Sequence, residues 1–227
     1  MTDTRPRSAP FRIVVWGDNA CFTRPEMKVE RVSYDVMTPS AARGILEAIL
    51  WKPAIRWIVE RIDILNPIKW ASVRRNEVGA VMSPRTDGLL VEENRQQRAG
   101  LFLRDVRYVL HARFELTAKA GPEDSVIKFQ EMFLRRAEKG QCFHRPYLGC
   151  REFAAEFALL AQHEGPSQPI DHSQDLGFML YDLEHDPAAQ IEGNHHCGPN
   201  CRAAFFRAEL RHGSLLVPPP DSPEVRR

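Results

Sequence analysis

Between Arg104 and Leu116 hydrophobic and polar side chains alternate. Val106, Tyr108, Leu110, Ala112, Phe114 and Leu116 fall on one side, with Arg107, His111, Arg113 and Glu115 on the other. A period of two predicts a strand with one buried face. Phe11 to Gly17 is a short apolar run closed by Gly-Asp, and it predicts a buried first strand. Ala54 to Leu65 is β-branched and alternating, with Ile55, Trp57 and Val59 on one face, and predicts another. Two stretches have helical spacing instead. Thr38-Pro39-Ser40 opens the first, where Thr38 or Ser40 can cap and Pro39 loses no hydrogen bond. Ala42, Ile45, Leu46, Ile49 and Leu50 continue it to Trp51, and Lys52-Pro53 stops it. Ile127, Met132, Phe133 and Ala137 mark a second helix over Val126 to Lys139, followed by a strand at Glu152 to Leu160.

Residues 67–100 are irregular and rich in Arg, Asn, Gln and Gly, which reads as a long hairpin or loop excursion. The resulting order, β-α-β, hairpin, β-α-β, predicts an α+β fold of the ferredoxin-like kind, a framework shared with RNA-recognition domains. The expected organisation is a flexible N-terminus at 1–10, the ferredoxin-like domain at 11–157 with a β-hairpin thumb, a small antiparallel extension at 158–217 and a frayed tail at 218–227. Leu176 to Leu183 and Ala203 to Val217 supply the strands of the extension.

Composition narrows the function classes. The 227 residues are 43% hydrophobic and 27% charged, too apolar and too balanced for a disordered chain. Apolar runs such as Ile13-Val14-Val15-Trp16 are far short of the ~20 residues a membrane helix needs. The polar opening and an odd count of five cysteines predict a cytoplasmic chain with no membrane partner and no disulfide framework. Charge is unevenly placed. Residues 1–151 hold 26 Lys+Arg against 18 Asp+Glu, and residues 152–227 hold 5 against 12. A basic N-terminal part suits a polyanion partner, although a merely solvated surface would give the same count.

Gly-rich phosphate loops, H-E-x-x-H and G-x-S-x-G are all missing. Basic clusters with polar or aromatic neighbours are present instead. They are Arg24, Lys28 and Arg31; Arg74-Arg75-Asn76; Arg95-Gln96-Gln97-Arg98; and Arg135-Arg136 with Lys139. Arg beside Asn or Gln can hold phosphates and read base edges, while ordinary surface charge is the competing reading of any one cluster.

These clusters lie inside longer strings. Trp16-Gly17-Asp18, Cys21 through Tyr34, Pro39 through Ile49, Trp51-Lys52-Pro53 and Arg74-Arg75-Asn76-Glu77 come first. Arg95 through Arg98, Lys139 through His144 and Pro146 through Phe153 follow. In this order they resemble the type I-C Cas-five family, a CRISPR-associated subunit of the Cascade surveillance complex. The similarity covers most of residues 11–157.

The resemblance implies an RNA-binding fold whose thumb holds the repeat-derived handle of CRISPR RNA, alongside the backbone and large subunits of Cascade. Arg43 and Lys52, inside the matching strings, join the candidate RNA contacts. It also implies metal-independent cleavage of precursor CRISPR RNA at the repeat, with no cofactor. There a 2′-hydroxyl attacks the adjacent phosphate, which calls for a base, a cation and an acid. The family carries Tyr or His just before Trp-Lys-Pro, where this chain has Leu50. It carries Lys-His at the start of the second helix, where this chain has Lys128-Phe129. Lys128 is therefore the surviving catalytic candidate, and His144 the candidate replacement; Tyr147, Tyr34 and His111 are other polar groups within reach of the motifs. Three readings follow: a processing subunit, a non-catalytic scaffold capping the handle, and a general RNA-binding module.

One departure from the family is Asn194 through Cys201, where His195, Cys197 and Cys201 are spaced as soft metal ligands, with His196, His185 or His212 as a fourth. Structural zinc wants four such ligands, and no second Cys pair follows. A polar turn without metal is the expectation.

Overall fold

Thr38 fixes the start of the first helix. Its backbone is extended and its hydroxyl accepts from the Ala41 N–H at 3.3 Å, with Pro39 in the first helical turn. In this computed structural model, which describes residues 5–85, 87–160, 165, 167–184 and 201–227, that helix is α1 (Pro39–Ile49). It follows β1 (Phe11–Ala20) and precedes β2 (Ile55–Ile64), β3 (Trp70–Val78) and β4 (Arg95–Leu116). Then come α2 (Val126–Glu138), β5 (Glu156–Leu159), β6 (Gln174–Glu184), β7 (Arg202–Arg211) and β8 (Ser214–Leu216). Ser125 caps α2 by accepting from the Lys128 N–H at 3.2 Å, and Gly140, at a positive φ of 63°, turns the chain after it.

The fold is α+β, with two helices on an antiparallel sheet. The sheet runs β5-β1-β4-β2-β8-β7-β6, and β3 pairs with the N-terminal half of β4. α1 packs on β2 and β6, and α2 on β5. An aromatic cluster joins the layers. Trp57 lies 4.7 Å from Phe133 and 5.4 Å from Phe114, and Phe11 lies 4.7 Å from Phe133. A bulge between Val59 and Arg61 shifts the alternation of β2 by one residue. Ile62 and Ile64 thereby stay on the core face with Trp57 and Val59. The same shift turns Asp63 to the opposite face, opposite Val109 of β4.

β4 does two jobs. Its C-terminal half is the sheet centre, and its N-terminal half extends outward as one arm of the β3–β4 hairpin. The join is Asp105, whose φ of 53° is left-handed. Asn66 donates to its carbonyl at 2.9 Å and Lys69 pairs with its carboxylate at 2.7 Å, which fixes the bend.

Several boundaries differ from expectation. The stretch before β1, expected to be flexible, is bonded to β4 where it is described. Ser8 N–H donates to Phe114 O at 2.9 Å, and Leu116 N–H to Pro6 O at 3.0 Å. Glu115, expected on a solvated face, is fully buried, with Arg5, Arg7 and Arg56 on its carboxylate. The tail, expected to fray, is docked: Arg226 and Phe205 exchange two backbone bonds of 2.8 Å, Val225 is buried, and Arg226 lies over the Phe178 ring. The strand expected from Glu152 begins only at Glu156, because Cys150 to Phe153 form a turn. The extension is no separate sheet, since β8 pairs with β2. Among the described residues no helix is long and apolar enough to cross a membrane.

Candidate nucleic-acid interface and cleavage site

A helix leaves its last carbonyls without partners. At the C-terminal end of α1 three such carbonyls are met from elsewhere in the fold. Ala48 O accepts from the Phe143 N–H at 2.7 Å, Ile49 O from Arg136 at 2.9 Å, and Leu50 O from the Trp57 indole N–H at 2.8 Å. Phe143 of the Gly-Gln-Cys-Phe-His string is thereby tied to the helix end that the Trp-Lys-Pro string directly follows. The surface beside it is basic and aromatic. Trp51 is 60% exposed and Phe143 89% exposed, with Lys52, Lys139 and His144 also in solvent. The two aromatics escaped the sequence reading. Their signal was faint: Trp51 lies past the end of the apolar helical period, and Phe143 stands in a polar run.

Leu50 and Phe129 are both core residues, 0% and 2% exposed. They flank one aromatic pair, since Trp57 bonds the Leu50 carbonyl and Phe114 meets Phe129 edge-on at 6.5 Å. Neither side chain can carry a proton. Lys128 stands in the first turn of α2, with Nζ 3.1 Å from Asp124 Oδ1 and 5.5 Å from the Phe129 ring centroid. A hydrogen bond from the Gly121 N–H, then one from Lys128, hold the Asp124 carboxyl below its ordinary range, and Lys52 adds to this. Lys52, Asp124 and Lys128 therefore share one surface. His144 follows the other end of α2, its ring stacked on Tyr147 with centroids 6.4 Å apart. No contact joins Lys128 to His144 among the described residues. Tyr34 is buried, its hydroxyl accepting from the Leu180 N–H at 3.2 Å. His111 is held by the Asp63 carboxylate at 2.7 Å.

The hairpin sorts its candidates by face. Register pairs Arg75 with Arg98 and Glu77 with Gln96, so these four share a side. There Arg75 pairs with Glu152 at 2.5 Å and with Glu77 at 3.7 Å, and Arg98 with Glu77 at 3.5 Å. Arg31 reaches the same Glu152 at 3.2 Å. These charges are largely spent on one another. Arg74, Asn76, Gln97 and Arg95 alternate onto the other side with Trp70 and Leu101, and no strand residue there is acidic. That face combines guanidinium groups without a carboxylate partner among the described residues, amides and exposed apolar surface, the composition that holds phosphates and stacks bases.

Other candidates divide in the same way. Arg24 pairs with Asp35 at 3.0 Å and lies over the Tyr34 ring, whereas Lys28 is exposed. Arg43 is not available to a ligand. It bonds Asp182 at 2.7 and 2.9 Å and Glu47 at 2.7 Å, and these carboxylates, outweighing burial, raise its pKa. Arg136 caps α1, while Arg135 on the same turn points to solvent. The expected His195–Cys201 turn lies outside the described residues except for Cys201.

Comparisons with known proteins fit this arrangement. A family model described as CRISPR-associated protein (Cas_Cas5) matches residues 12–218. A protein of Mannheimia succiniciproducens named CRISPR pre-crRNA endoribonuclease Cas5d is 48% identical over 96% of this chain and 98% of its own. A Thermus thermophilus protein of the same name is 43% identical over 96% of each. Two solved structures share the fold at 21% identity, covering 99% of this chain and all of theirs. One is titled as a CRISPR-associated protein, with a TM-score of 0.71; the other is a functionally uncharacterized Streptococcus mutans protein, with a TM-score of 0.69.

Proposed function

Because the chain belongs to the CRISPR-associated protein (Cas_Cas5) family, we propose that it binds the repeat-derived part of CRISPR RNA and cuts the precursor there without a metal. Assembly with the backbone and large subunits of Cascade is part of the same proposal. The observation that carries it is the hairpin face of Arg74, Asn76, Arg95 and Gln97, without a carboxylate partner among the described residues and free of acidic strand neighbours, beside a chain-wide family match. The sheet order β5-β1-β4-β2, with the two βα crossovers, supports reading the core as ferredoxin-like and the β3–β4 hairpin as its thumb. RNA tracks from that hairpin across the basic surface toward the end of α1, where Lys52 and Lys128 flank the phosphate to be cut.

Cleavage is attenuated in this chain. Lys128 can stabilise charge on the pentacoordinate phosphate, but Leu50 and Phe129 supply neither base nor acid. Loss of such groups costs roughly 10²–10⁴-fold each in rate. His144 is exposed and can serve as a donor if the RNA bridges the two ends of α2. The burial of Leu50 and Phe129 favours a second reading, a scaffold that caps the handle and leaves cutting to another protein. Purified protein incubated with its own repeat RNA in EDTA separates the two: a slow, specific cut supports processing, and binding without any cut supports the scaffold.

A further inference from the structure

The N-terminal sheet strand ends on a pair of thiols that the RNA-binding reading leaves unused. Cys21, the residue after β1, is buried, and Cys150, in the turn before β5, is half-buried. Their backbones are clamped together. Cys21 N–H donates to Leu148 O at 3.0 Å, and Gly149 lies so close that a Cβ there would stand 2.0 Å from the Cys21 carbonyl oxygen. The two sulfurs converge on the Thr23 hydroxyl, 3.5 Å from Cys21 Sγ and 3.7 Å from Cys150 Sγ. Arg31 Nη1 lies 3.9 Å from Cys150 Sγ, and the Cys21 carbonyl accepts from the same thiol at 3.5 Å.

We infer that Cys21 and Cys150 form an oxidation site, in which Cys150 reacts with a hydroperoxide and Cys21 resolves the product to a disulfide. The geometry assigns the roles. Cys150 is half-buried and has the Thr23 hydroxyl and the Arg31 guanidinium beside its sulfur. Cys21 is enclosed, with its carbonyl against that sulfur and its own thiol on the same Thr23 hydroxyl. The Cys21 thiol first, then Thr23 and Arg31 against the cost of burial, bring the Cys150 pKa down to about 6, and the same contact with burial raises that of Cys21. A thiolate is the nucleophile in such chemistry.

Cys150 thiolate attacks one peroxide oxygen, the O–O bond breaks, and hydroxide leaves, giving a sulfenic acid. The Cys21 thiol then attacks that sulfur. The S–S bond forms, the sulfenic oxygen departs with the Cys21 proton as water, and the peroxide has taken up two electrons. The product strips Arg31 of its sulfur partner and leaves it to Glu152, at the foot of the β3–β4 hairpin.

The test uses the full-length reduced protein. Iodoacetamide at pH ~6 should alkylate Cys150 about tenfold faster than the exposed Cys142, read cysteine by cysteine from peptide masses. A modest excess of hydrogen peroxide should yield a Cys21–Cys150 linked peptide that dithiothreitol reverses. Cys21→Ser should stop at a Cys150 sulfenic acid captured by dimedone. The alkylation and linkage readings need no variant, so a misfolded substitution cannot blur them. Cys150 reacting no faster than Cys142, or peroxide linking other cysteines while Cys21 and Cys150 stay apart, would overturn the assignment.

Discussion

The Trp57 indole N–H donates to the Leu50 carbonyl at 2.8 Å, fastening the end of α1 to the aromatic core. Leu50 is thereby held at the helix end through its backbone, with its side chain inside the protein. Under the proposed function, the fold keeps the frame of a cleavage site at this helix end without side chains there that carry protons.

Restoring that chemistry is the first prediction. Leu50→Tyr with Phe129→His should speed repeat cleavage by tenfold or more over the sum of the single changes, because both groups act on one transition state beside Lys128. Each change also costs stability. A phenol at Leu50 overpacks the helix end by about 1–3 kcal/mol, and an imidazole at Phe129 gives up ring packing against Phe114. Single-turnover cleavage with parallel melting curves measures both effects.

A second prediction separates the hairpin faces. Replacing Arg74 and Arg95 by Ala should weaken repeat binding and flatten the slope of log K against log salt by about 1.4, two contacts at ~0.7 each for single-stranded RNA. Arg75→Ala should leave the slope nearly unchanged, since its charge is spent on Glu152 and Glu77. Titrations at several salt concentrations distinguish them. In the Arg24, Lys28 and Arg31 triple substitution, Lys28 should carry most of the loss, because Arg24 is paired with Asp35.

These distinctions mark where sequence reasoning runs out. The alternation of Val106 to Phe114, the capped start of α1 and the span of α2 were legible, because each is a local period or a local hydrogen bond. Pairings across long separations were not. Arg43 looks like a surface cation until β6 brings Asp182 to it, and Glu115 reads as solvated until the N-terminal arginines close over it. The hairpin was legible only as an excursion, since its two faces depend on the register of β3 against β4. Leu50 was legible both as a departure from a motif and as a member of the apolar helix face, but the Trp57 bond to its carbonyl was not.

Acid sensitivity provides a third prediction. Asp63 is buried and carries the C-terminal strands on hydrogen bonds from Ser214 at 2.7 Å and from Ser167, with His111 at 2.7 Å. Burial opposes its ionisation, but these bonds prevail and hold its carboxyl below the ordinary value. A depressed folded pKa means that the stabilisation is present above the unfolded pKa and fades as pH falls through the folded one. Asp63→Asn should therefore cost about 2 kcal/mol at neutral pH, and the gap to the unmodified chain should narrow below pH ~4. Denaturant melts across pH provide the comparison; a gap independent of pH would contradict it.

The most direct measurement is single-turnover cleavage of the chain's own repeat RNA in EDTA, run on the unmodified protein beside Lys128→Ala. The account predicts tight binding by both proteins, a slow cut at one position in the repeat by the first, and a further loss of rate in the second. Brisk cutting that Lys128→Ala leaves untouched, or cutting that appears only when a divalent cation is added, would contradict it.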